Sequence, residues 1–196
     1  MPFALLVVAL GVAVSLARGG RLTRIADAPL HATWLLFTGL ALQVTVDVTA
    51  ARGILEDAST AGWSLLLASQ LLIVAWLVRN RHLPGVLLVA AGLALNAAVM
   101  AANGAMPVDP AAIRAVGELT DGRVPLGKHT LMTPDTRLPW LADILPLAPL
   151  RTIISVGDVV IAAGLLPLTH ALMSWRDPDL GDDGRHDDPT PEHHGS

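Results

Sequence analysis

The sequence predicts an all-α fold, an integral membrane bundle of about five transmembrane helices with a structured extracytoplasmic loop. Three observations carry that prediction. Of 196 residues, 53% are hydrophobic and only 15% charged, with a mean hydropathy of +0.55, whereas an ordinary soluble domain is roughly a quarter charged. The apolar residues are gathered into long runs, several near the ~20 residues that cross a bilayer. Arginines cluster in two of the short connections between those runs, as the positive-inside rule requires of cytoplasmic loops.

The first span is expected at residues 2–17. Nothing basic precedes it, while Arg18, Arg21 and Arg24 follow. A cleaved signal peptide has the opposite polarity, so the segment reads as a retained span with its N-terminus outside. The second span is expected at 30–50 and the third at 62–78. The fourth is expected at 84–102, with Pro84 in its first turn, where a missing N–H costs nothing. The fifth is expected at 153–172. Pro167 lies inside it and predicts a kink or an early exit.

Charge then sets the topology. Arg18, Arg21 and Arg24 in the first connection, with Arg79 and Arg81 in the third, place both connections in the cytoplasm. The second connection sets Arg52 against Glu56 and Asp57 and falls outside, as does the long loop at 103–151. Tryptophans favour membrane interfaces. Trp34, Trp76 and Trp175 fall near the inner surface and Trp63 near the outer one, and Trp140 is placed to rest on the outer interface. The membrane domain is thus 1–175, multi-pass, with the N-terminus outside and the C-terminus cytoplasmic. Residues 176–196 are acidic, rich in Pro and Gly and without an apolar run, so they are expected to form a disordered cytoplasmic tail.

The outer loop is too long to be a simple linker. Asp109-Pro110 reads as an N-cap and first turn, opening a short helix to about Glu118 with Ile113, Val116 and Leu119 on its apolar face. Asp121-Gly122 marks a turn. Thr133 or Asp135 is placed to cap a second short helix across Leu138 to Ile144. Pro134, Pro139, Pro146 and Pro149 punctuate the stretch.

Polar residues inside apolar spans need a reason, because a charge in hydrocarbon costs several kcal/mol. Gln43 and Asp47 share a face of the second span at i, i+4, and Ser155 and Asp158 share a face of the fifth at i, i+3. Asn96 and Asn103 lie towards the outer end of the fourth. With this topology all of them fall in the outer half, and the inner half is nearly bare apart from His31. The candidate polar pocket is therefore Asp47, Asn96, Asn103, His129, Asp143, Ser155 and Asp158, with Lys128 and Arg137 near its mouth. The competing reading is that these groups glue helices together or bond to loop backbone.

Several chemistries are excluded by sequence. There is no cysteine, hence no disulfide or thiolate ligand. No HExxH, GxSxG or phosphate-binding Gly-rich motif occurs, no metal site is indicated, and no basic cluster suggests nucleic acid; the cofactor is left unknown by the sequence. No internal repeat stands out, so the inverted-repeat sign of a transporter is missing.

Two stretches, Asn-Gly-Ala-Met-Pro at 103–107 and the run from Gly127 to Leu147 followed by Ser-Val-Gly-Asp at 155–158, resemble an uncharacterised bacterial family of multi-span membrane proteins, a domain of unknown function with NGxMP and SxGD signatures. The matching residues are Asn103, Gly104, Met106, Pro107, His129, Thr133, Pro134, Asp143, Pro146, Ser155, Gly157 and Asp158. The resemblance implies a bacterial plasma-membrane protein and brings no activity, substrate or cofactor. The expected function is a binding or accessory module with an outward-facing polar pocket, whose partners are the lipid bilayer and a small molecule, lipid or membrane protein. The alternatives are an integral-membrane enzyme at the outer leaflet, using Asp158, Asp47 and His129 as acid–base groups, and a small transporter subunit.

Overall fold

A computed structural model describes residues 2–52, 60–117 and 129–175. Its frame is five long helices: α1 (Pro2–Ala17), α2 (Thr33–Ala51), α3 (Thr60–Arg79), α4 (Val86–Asn103) and α6 (Val156–Ser174), with a short α5 (Pro110–Val116) between the last two. Each long helix lies on one of the expected spans. Two of them, α4 and α6, are long and apolar enough to cross a membrane. The tail at 176–196, Leu119, the Asp121-Gly122 turn and Lys128 lie outside the described residues.

The helices pack as a row. α2 lies on α3, α3 on α4, α4 on α6 and α6 on α1. The closest pair is α4 with α6, and glycines set its spacing. A Cβ on Gly92 would sit 2.5 Å from the carbonyl oxygen of Gly157, and one on Gly164 would sit 2.6 Å from that of Gly85. Both glycine pairs recur at seven-residue spacing, about two turns. Small residues that let backbones meet are the usual means of helix packing in an apolar medium. The main apolar core lies at one end of this row, where Leu35, Trp76, Leu77, Leu83, Val86, Val89 and Leu168 meet.

At the other end of the row the fold departs from the all-α expectation. A four-stranded sheet forms from β1 (Met106–Val108), β2 (His129–Leu131), β3 (Asp143–Leu147) and β4 (Thr152–Ser155), in the order β2-β1-β3-β4. The β1 strand is parallel to both β2 and β3, and β3 pairs antiparallel with β4. A second cluster, Val99, Met106 and Ala142, fixes the sheet to the end of α4.

Three local expectations are corrected. The helix expected across Leu138 to Ile144 is a single 3-10 turn, Pro139–Leu141, followed by β3. Pro139 starts that turn, and it ends at Ala142, whose backbone is extended (ψ 179°) and leads into β3. Pro84 does not open α4: Gly85, at φ 84°, stands as its N-cap and the helix begins at Val86. There is no early exit at Pro167, since α6 runs on through Ser174. The short helix after Asp109 forms as expected. The Asp109 side chain accepts from the Ala111 N–H at 2.8 Å, and Ile113 and Val116 are buried.

Candidate functional site

The polar residues expected in the outer half divide into three arrangements. The first joins α4 to the start of α6. Ser155 is the N-cap of α6, and its hydroxyl accepts from the Asp158 N–H at 3.0 Å while the Asp158 carboxylate accepts from the Ser155 N–H at 3.0 Å. This reciprocal capping box satisfies two backbone donors that a helix start leaves orphaned. Asn96 completes it from α4. Its Nδ2 donates to Asp158 Oδ1 at 3.1 Å, and its Oδ1 accepts from the Ser155 hydroxyl at 2.9 Å. Ser155 is fully buried. Gly157 makes this possible, because a Cβ there would fall on Asn96 Oδ1. The carboxylate sits at the positive end of the α6 dipole, a favourable place for it.

The second arrangement is in the sheet. His129 opens β2 opposite Met106, and Asp143 opens β3 opposite both Val108 and Ser155. The His129 Nδ1 faces Asp143 Oδ2 at 3.4 Å. Nδ1 is buried and lacks hydrogen-bond geometry to any acceptor, so the pair is a close approach rather than a hydrogen bond. The Asp143 side chain is 8% exposed and that of His129 35%, so part of the imidazole remains open to the surroundings.

The third is at the end of α4. Asn103 donates through Nδ2 to the Arg137 carbonyl at 2.9 Å and accepts from the Arg137 N–H at 2.8 Å. Beside it an open cleft of about 310 Å3 is lined by Asn103, Pro107, Thr130, Thr133, Asp135, Thr136 and Arg137, among others.

Asn96, Ser155 and Asp158 are therefore in direct contact. His129 and Asp143 join them through the β3–β4 pairing, and Asn103 stands at the adjoining helix end. Asp47 does not join the group. It lies on α2, which packs on α3 and is separated from α6 by α3 and α4. Among the described residues no group of three or more His, Cys, Asp or Glu is placed to hold a metal ion.

Sequence reasoning missed that the opposite end is also polar. Asn80 is fully buried there and bonds the backbone of His31. Ser15, also fully buried, lies 3.3 Å from His170 Nδ1, and the rings of His31 and His82 meet edge-on at 5.5 Å. Thr130 and Thr136 of the cleft were missed as well, because their convergence with Thr133 depends on the β1–β2 pairing. The signal for Asn80 is in the sequence: Asn80-Arg-His-Leu-Pro repeats the pattern of Asn103-Gly-Ala-Met-Pro.

An apolar helical row closed at one end by a small sheet and a hydrogen-bonded polar cluster defines a mostly helical protein with two helices of membrane-crossing length and apolarity. Residues 27–169 match the model of DUF5317, a family of unknown function, and the chain belongs to that family. No curated protein and no solved structure gives a significant match.

Proposed function

We propose that the protein is a multi-pass membrane protein acting as a binding or accessory module, its five long helices in the bilayer and its sheet forming a polar cap on the outer face. The observation that carries this reading is the outward exposure of large apolar side chains on every long helix: Leu5, Leu6 and Leu10 on α1, Phe37 and Val44 on α2, Leu71 on α3, Leu87 on α4 and Leu166 on α6. Contiguous apolar surface of this kind is rare on soluble monomers, and lipid would cover it without cost. Three hydroxyls within the helices bond to neighbouring backbone, as suits a bilayer: the Thr45 and Thr49 hydroxyls donate to Ala41 O and Thr45 O within α2, and the Ser69 hydroxyl donates to Gly39 O across to α2.

Within the cap, the cleft beside Asn103 is the binding site this reading favours. It offers hydroxyls and both signs of charge, which suits a small polar or zwitterionic molecule. Asp158 supports a binding role over a catalytic one, because both of its carboxylate oxygens are engaged in helix capping and interhelix bonding. Native mass spectrometry of the purified full chain tests the site. Bound small-molecule mass is expected on the parent protein and on Arg24→Ala, and is expected to be lost on Arg137→Ala. Equal occupancy in all three, or none in any, overturns the assignment.

One observation favours a second reading, an enzyme of the outer leaflet. The Asp143 carboxylate lies 3.4 Å from His129 Nδ1, and a small shift into hydrogen-bond geometry would orient the histidine with Nε2 as the basic nitrogen. In this reading His129 is the general base.

A further inference from the structure

Two turns at opposite ends of the molecule are built to one plan. Asn80 follows the last turn of α3. Its Nδ2 donates to Trp76 O at 2.8 Å and to His31 O at 3.0 Å, and its Oδ1 accepts from the His31 N–H at 2.8 Å. Asn103 ends α4. Its Nδ2 donates to Val99 O at 2.9 Å and to Arg137 O at 2.9 Å, and its Oδ1 accepts from the Arg137 N–H at 2.8 Å. In both, one amide bonds a carbonyl of its own last helical turn and takes both backbone groups of a single distant residue.

The chain beyond each clamped residue also repeats. Ala32 and Leu138 follow His31 and Arg137, and each is left-handed without being glycine, at φ 52° and 53°. Such conformations persist only where surrounding bonds impose them. The carbonyls of Ala32 and Leu138 then accept from the N–H of Leu35 and Leu141, starting a helical turn. The sequence carries the same plan twice, as Asn-x-x-Leu-Pro with Trp34-Leu35 and as Asn-x-x-Met-Pro with Trp140-Leu141. Leu83, Leu35 and Ala32 pack in one apolar cluster, and Met106, Leu141 and Leu138 in the other.

Both turns present a tryptophan three residues past the clamped one. Trp34 is 64% and Trp140 63% exposed, whereas Trp76 is buried. The neighbouring surface is apolar too, with Phe37 exposed beside Trp34. The two clamps stand at opposite ends of α4, whose 18 residues span ~27 Å at the α-helical rise. A bilayer's hydrocarbon core is ~30 Å thick.

We infer that Trp34 and Trp140 are paired interfacial anchors, each held by its asparagine clamp at one of the two headgroup–acyl boundaries of the same bilayer. The inference rests on the membrane reading above. An indole combines a large apolar ring with one N–H donor and therefore settles where hydrocarbon meets water. A clamped, left-handed turn fixes the depth at which the ring is offered. The lipid partner is the interfacial zone itself and requires no particular headgroup.

Depth-dependent fluorescence quenching tests this in vesicles of phosphatidylcholine brominated either near the glycerol or near the chain end. The full chain, Trp34→Phe, Trp140→Phe and Asn103→Ala are each reconstituted, and retention after a carbonate wash is measured in the same samples. Each Trp→Phe change is expected to remove a fluorescence component quenched several-fold more by shallow than by deep bromines. Asn103→Ala is expected to weaken the shallow quenching attributable to Trp140 while the protein stays in the vesicles. If the protein is retained but the Trp140 component is quenched by aqueous iodide and by neither lipid, the anchor assignment fails and the membrane reading survives. Loss of the protein in the wash overturns both.

Discussion

The side-chain amide of Asn96 on α4 meets the carboxylate of Asp158 on α6 at 3.1 Å, inside a ring closed by Ser155. An acidic residue in an apolar helix invites a functional reading. Here its oxygens take the Ser155 N–H and the Asn96 amide, and the group starts a helix and ties it to its neighbour. Asp158→Ala is expected to lower stability by about 1–3 kcal/mol, from loss of the cap and of the Asn96 bond. Asp158→Asn is expected to cost less, because one oxygen can still take the Ser155 N–H and Asn96 can turn its amide. Thermal unfolding of the two variants in detergent, compared with the parent, checks the order.

Contact at the glycines predicts a sharper effect. Gly157→Ala would place its methyl on Asn96 Oδ1, with Gly92 O 2.8 Å away, so α4 and α6 must move apart. Overpacking of this kind costs about 1–3 kcal/mol or more. Gly104→Ala meets no atom within 4 Å and carries only the strain of its positive φ, 76°, about 1 kcal/mol. The melting temperature is expected to fall further for Gly157→Ala than for Gly104→Ala.

The two asparagine clamps differ in burial, so their removal should differ in cost. Asn80 is fully buried, and Asn80→Ala removes the partner of both backbone groups of His31, while Trp76 O keeps the backbone N–H of residue 80. At about 1–3 kcal/mol per unsatisfied buried group, the loss is expected to reach about 3 kcal/mol. Asn80→Asp is expected to be no better, since a carboxylate cannot donate to Trp76 O or His31 O. Asn103→Ala, in more open surroundings where water can replace the lost bonds, is expected to cost about 1 kcal/mol. Chemical denaturation of the three variants measures these differences.

In the sheet, Asp143 is buried and His129 partly open. His129→Ala is therefore expected to change stability by less than about 1 kcal/mol, and Asp143→Ala by about 1–3 kcal/mol. An assay for hydrolysis of outer-leaflet lipids discriminates the enzyme reading: activity lost in His129→Ala at unchanged melting temperature would favour it over the binding module.

The helices were legible because a long run of apolar residues leaves few other readings, and each of the five runs is a helix, two of them long and apolar enough to cross a membrane. The Asp109-Pro110 start of α5 and the Ser155–Asp158 spacing were legible for a related reason: capping depends on local sequence alone. The sheet was not legible. Its strands are three to five residues long, too short to show alternation, and β1 pairs with β2 across an intervening helix. Helix position placed Asn96, Ser155 and Asp158 at a similar depth, and the three are in hydrogen-bond contact. Asp47 lies on α2, which packs on α3, and depth along a helix says nothing about which helix is the neighbour. Asn80 escaped notice because it falls just beyond its helix, where an asparagine reads as a turn residue.

The central claim is that the helical row crosses a bilayer with the sheet on its outer side. The chain has no cysteine, so single cysteines can be placed without background at Thr136, in the cap, and at His82, at the opposite end. Labelling of intact cells with a membrane-impermeant maleimide is expected to modify Thr136→Cys directly and His82→Cys only after permeabilisation. Equal labelling of both before permeabilisation, or of neither until after it, would contradict the claim.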